Sequence, residues 1–176
     1  MHKSIQRRVW VANFFTNTYK PNCKTEPFVV LIAPLYAGQH GKIKNVLRYF
    51  NQFLCIDEEY TANLMLQLAL QELDMAESIY QQFLRLKVCP KEILSCYTFD
   101  HLFSTPSSCT KTGLTALKKM LYDDVVQEMA TITYCTKLLN TCSQQDIVCL
   151  LQNLSNQANQ HLVLLNNQLS KLASNT

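Results

Sequence analysis

The sequence predicts an all-α fold: a four-helix bundle of two antiparallel helical hairpins joined by a long crossover, with an N-terminal extension. Three observations predict it. Glycine (3 of 176 residues) and proline (5) are too scarce for a turn-rich sheet protein. Four long stretches repeat apolar residues at three- and four-residue spacing, the period of a helix with one buried face. The links between the first and second stretches, and between the third and fourth, are only a few residues long, which makes each pair antiparallel neighbours.

Taken in order, residues 1–33 form the extension and 34–176 the bundle domain. The first helix is expected over about 38–54, with Lys42, Val46, Tyr49 and Phe53 facing inward. The second is expected over 57–87, starting on Asp57 as N-cap and stopping before Pro90. Its inward stripe is Met65, Leu68, Glu72, Met75, Ile79, Phe83 and Leu86. The crossover over 88–112 contains Pro90, Pro106 and a Ser/Thr cluster, and is long enough to return along the bundle. The third helix is expected over 113–140, with Gln127, Thr131, Tyr134 and Leu138 inward. The fourth is expected over 144–173, with Ile147, Leu151, Leu154, Ala158, His161, Leu165 and Leu172 inward.

Composition excludes several classes. A net charge of +3 does not call for a nucleic-acid partner, and basic residues do not cluster with aromatic ones. The basic arm Lys3, Arg7, Arg8, Lys20 and Lys24 is read as a solvated extension. The apolar run Phe28–Ala37 is too short to span a bilayer, and no export signal is evident, so the expected location is cytoplasmic with no membrane partner. Eight cysteines include no C-x-x-C pair, which leaves them as reduced, small apolar residues. No glycine-rich phosphate loop and no Ser/His or Cys/His pairing supports nucleophilic catalysis.

The polar residues inside the apolar stripes repeat. Lys42 is followed seven residues later by Tyr49, and Gln127 seven later by Tyr134. Glu72 lies 30 residues after Lys42, and Ala158 lies 31 after Gln127, so the halves match at an offset near 85.

The segments P-L-Y-A-G-Q-H-G-K-I-K-N-V-L-R-Y, L-A-L-Q-E-L-D-M, V-V-Q-E-M-A-T-I-T-Y and L-S-N-Q-A-N-Q-H carry a resemblance. Over residues 34–173 the chain resembles the ferritin-like superfamily, in its rubrerythrin and manganese-catalase-like branch. Such proteins hold two metal ions on one Glu from each of two helices and a Glu-x-x-His pair from each of the others. The resemblance implies that Lys42 stands for the first lone Glu, Glu72 with Met75 for the first pair, Gln127 for the second lone Glu, and Ala158 with His161 for the second pair. Tyr49 and Tyr134 stand behind them. Of these metal-site positions only Glu72 and His161 keep a ligand, so they are the residual candidates. No cofactor is expected; if one binds, it is iron or manganese.

The replacements point to a metal-free polar centre, with a Lys42–Glu72 ion pair and Gln127 hydrogen-bonded to His161. The alternatives are that Lys42 snorkels out of the bundle end and that His161 is an ordinary satisfied core histidine. Glu128, Glu77, Asp74 and His40 are neighbours that could rebuild a site, with Glu128 set about 100° from Gln127 around the helix. The expected function is non-catalytic: a structural or protein-interaction role, with a homodimer or an unknown protein as partner. The alternatives are a metal-binding oxidoreductase with a rebuilt site, and a small-ligand binder using the vacated bundle centre near Ala158.

Overall fold

The computed structural model describes residues 27–38, 40–89, 91, 93 and 113–174. They form α1 (Pro27–Ala37), α2 (Lys42–Cys55), α3 (Glu59–Arg85), α4 (Leu114–Leu139) and α5 (Gln145–Ser174), with no strand among them. α2 packs along α3 and α4 along α5, which are the two expected hairpins. α3 also meets α5, and α1 lies against α2 and α3. No helix of the described residues is long and apolar enough to cross a membrane.

α1 spans the expected domain boundary. The boundary at 33/34 falls inside this helix, and Val29, Leu31, Ile32 and Ala33 share one core cluster with Ile79, Phe83, Leu138 and Leu151. Its sequence, PFVVLIAPLYA, has no polar side chain except the Tyr36 hydroxyl, and a helix apolar on all sides must be covered on all sides. Each fully buried Val, Leu or Ile contributes about 1.5–3 kcal/mol. Tyr134 fixes α1 further, its hydroxyl donating to the Leu31 carbonyl at 2.9 Å. Gly41 makes the tight entry to α2. A Cβ there would sit 2.7 Å from the Gly38 nitrogen and 2.8 Å from the Ala37 nitrogen, so the turn admits no side chain without shifting backbone.

The cap of α3 is Glu58, not Asp57: its carboxylate accepts from Thr61 N at 2.7 Å and Tyr60 N at 3.2 Å. Gln168 of α5 donates to the Thr61 hydroxyl at 2.7 Å, which ties this helix start to the second hairpin. One apolar cluster lies at the α1 end of the bundle; a second, around Tyr49, Met65, Leu68, Leu121 and Leu165, lies at the other. The basic arm of residues 3–24, His101 and Cys23, Cys96 and Cys109 lie outside the described residues. Among the described residues, Cys55, Cys89, Cys135, Cys142 and Cys149 form no disulfide with one another.

Candidate functional site

Between the two apolar clusters runs a layer of buried polar side chains. α2 supplies Lys42, Asn45 and Tyr49, spaced three and four residues apart on one face. α3 supplies Glu72, α4 supplies Glu128, and α5 supplies His161. All six are essentially inaccessible to water.

Lys42 Nζ donates to Glu72 Oε1 at 2.7 Å, and Asn45 Nδ2 donates to Glu72 Oε2 at 3.0 Å. The Tyr49 hydroxyl donates to Glu128 Oε1 at 2.7 Å. His161 Nδ1 lies 3.1 Å from that same Glu128 oxygen and 3.4 Å from Glu72 Oε1. Its Nε2 lies 3.0 Å from Gln71 Oε1. Both ring nitrogens thus lie within hydrogen-bond distance of oxygen atoms. The centre then holds two carboxylates, one ammonium and one imidazole.

Burial and partners pull these groups in opposite directions. Burial pulls the Lys42 ammonium down, but Glu72 and Glu128 push harder, and it stays above its ordinary value. Burial raises Glu72, with Lys42 and His161 pulling against it. Burial also raises Glu128, but the hydrogen bond from His161 and the charge of Lys42 outweigh it, so this carboxyl sits below its ordinary value. Tyr49 is driven well up, first by burial and then by the neighbouring Glu128.

Two sequence expectations need correction here. Gln127 does not reach His161. It is half-buried on the outer side of α4, and its Oε1 is hydrogen-bonded to His40 Nδ1. The residue that enters the centre is Glu128, which was placed about 100° away. Its inward run is Leu117, Leu121, Asp124, Glu128, Thr131, Cys135 and Leu138, a strict alternation of three- and four-residue steps. Extending that alternation back from Thr131 to Leu121 and Leu117 is the signal that selects Glu128. Asn45 and Gln71 had no such signal, since both read as ordinary polar helix residues.

The remaining positions fall as follows. Ala158 is fully buried and offers no donor atom. Met75 is half-buried and packs against the apolar cluster at the α1 end. Tyr49 reaches the centre, whereas Tyr134 turns to α1. Asp74 and Glu77 are exposed on α3 and take no part.

This donor set does not fit a pair of metal ions. Two divalent ions bring at least four positive charges, which need several hard oxygen ligands. Here Lys42 already donates to Glu72, and the centre holds only two carboxylates. One ion is a different matter, since Glu72, Glu128 and His161 each offer a ligand atom within 4.8 Å of the others. Comparison of the chain with models of known protein families, with curated proteins and with solved structures finds no match.

Proposed function

We propose that this chain is a degenerate ferritin-like bundle in which protein cations have replaced the two metal ions, and that it serves as a structural or protein-interaction module. The observation that carries this reading is the contact of Lys42 Nζ with Glu72 Oε1 at 2.7 Å, both side chains fully buried. An ammonium at that contact occupies the oxygen a metal would need. Helix-face association, with a second copy as the partner, is supported by Leu70, Leu73, Tyr80 and Leu84, which form an exposed apolar stripe along α3 interrupted by Glu77. An antiparallel copy would set the acidic start of α3 (Asp57, Glu59) against its basic end (Arg85, Lys87).

Elemental analysis of protein purified without added metal tests the central claim. Iron and manganese well below one equivalent per chain, and peroxide decomposition no faster than buffer, are the expected results. One equivalent of either metal, lost on Glu72→Gln or His161→Gln substitution, would overturn it. The grouping of Glu72, Glu128 and His161 favours one second reading, a single-metal oxidoreductase site. That reading requires Lys42 to leave Glu72, so Lys42→Met would then raise metal content; on the first reading it does not.

A further inference from the structure

One side of the bundle carries a second polar cluster that the buried centre does not use. A cleft of about 490 Å³ opens between α2 and α4, with Arg48, Gln52 and Asp124 in its wall. Volumes of this order accept small molecules. Asp124 is fully buried; its Oδ1 accepts from Gln52 Nε2 at 3.1 Å and lies 3.2 Å from Arg48 Nε. The Gln52 bond fixes its amide, because the nitrogen must face the carboxylate and the oxygen must face the other way.

The second atoms of all three groups have no hydrogen-bond partner among the described residues. They are Asp124 Oδ2, Gln52 Oε1 and Arg48 Nη2, each buried at the atom level. Buried polar atoms are as a rule paired, and leaving one unpaired is costly. The two acceptors and the cationic donor belong to side chains that line the same cleft.

We propose that this cleft binds a small zwitterion of the free α-amino acid class, its ammonium on Asp124 and Gln52 and its carboxylate on Arg48. Three features select that class. First, the lining charges balance: Arg48 and Lys119 against Asp123 and Asp124, which favours neither a phosphate nor a polyamine. Second, Arg48 and Asp124 touch each other, so a matching ligand must carry its two charged groups on one carbon rather than at the ends of a chain. Third, Ala116, Met120 and Val126 line the same cleft and would take an aliphatic side chain. The site is separate from the Lys42–Glu72 pair and does not depend on the metal content of the bundle.

Calorimetric titration of the full chain with the free α-amino acids, and with γ-aminobutyrate, acetate and methylamine, tests this. At least one aliphatic α-amino acid should bind with a Kd near or below ~1 mM, and each control at least tenfold more weakly. Asp124→Asn and Arg48→Gln should each weaken binding tenfold or more. Methyl resonances of Ala116 and Val126 in the unaltered protein should shift on titration, which keeps the test decisive if a variant fails to fold. No binding by any α-amino acid at ~10 mM, equal binding by acetate or γ-aminobutyrate, or shifts confined to other residues would each overturn the proposal.

Discussion

The Lys42–Glu72 pair makes opposite demands when either half is removed, and pH separates them. In Lys42→Met, Glu72 keeps only the Asn45 donor at 3.0 Å and His161 at 3.4 Å. A buried carboxylate so stranded escapes by taking a proton. Against an ordinary value of 4.5, holding that proton at pH 7 costs about 3 kcal/mol, at about 1.36 kcal/mol per pH unit. In Glu72→Leu, Lys42 loses the acceptor at 2.7 Å and must shed its proton instead. Against an ordinary 10.5, that costs about 5 kcal/mol at pH 7. These figures are ceilings, and they match the ~3–5 kcal/mol typical of breaking a buried pair. The double variant Lys42→Met/Glu72→Leu leaves no stranded charge and should lie within about 2 kcal/mol of the unaltered protein, because Asn45 and His161 still lose an acceptor.

The signs follow from proton linkage. Folded Lys42→Met binds a proton that its unfolded chain releases, so its deficit shrinks as pH falls, to below about 1 kcal/mol at pH 5. Folded Glu72→Leu lacks a proton that its unfolded chain holds, so its deficit shrinks as pH rises, to about 2 kcal/mol at pH 9. Urea unfolding followed by far-UV circular dichroism gives each free energy with the slope as a check on two-state behaviour. Single variants that each cost under about 1 kcal/mol at pH 7, or that shift with pH in the same direction, would refute the pairing.

Three further outcomes are expected. Tyr49→Phe removes the donor at 2.7 Å from Glu128, whose Oε2 has no hydrogen-bond partner among the described residues, and should cost about 1.5–3 kcal/mol in the same urea assay. Tyr134→Phe removes the second bond on the Leu31 carbonyl, which also serves the α1 backbone, and should cost about 0.5–1.5 kcal/mol, with faster amide exchange concentrated in α1. Asp124, raised by burial to about 6 against the pull of Arg48 and Gln52 and the push of Glu128 and Asp123, binds a proton in the folded state before it does unfolded. The unaltered protein should therefore gain up to about 3 kcal/mol relative to Asp124→Asn as pH falls from 7 to 4, and calorimetric α-amino acid binding should weaken below pH about 6.

Much of this was legible in the sequence, and for a definite reason. Three- and four-residue periodicity over long segments fixes the four long helices to within a few residues of their observed ends. Short links then set α2 beside α3 and α4 beside α5, so Lys42 and Glu72 meet across a hairpin. The first helix was not legible as part of the bundle. Phe28–Ala37 is apolar throughout, and a segment without a polar face has no periodicity from which to read a partner. Only the packing shows that it closes one end of the core.

The error on α4 has more consequence, because it changes the charge balance of the centre. Reading back from Thr131 by four residues gives Gln127, and by three gives Glu128; only the longer run to Leu121 and Leu117 decides between them. With Gln127 inward, the central layer would bury one carboxylate. With Glu128 inward it buries two, and each hairpin then supplies one anion and one basic group: Lys42 with Glu72, and Glu128 with His161. Among the bonds that cross between the hairpins, Tyr49 to Glu128 and His161 to Gln71 lie in this layer, and they form only when the hairpins meet at one level. A slide of one helical turn, about 5.4 Å, would break both and leave buried acceptors unpaired. The network therefore sets the register of the two halves, a role it can fill while adding little net stability.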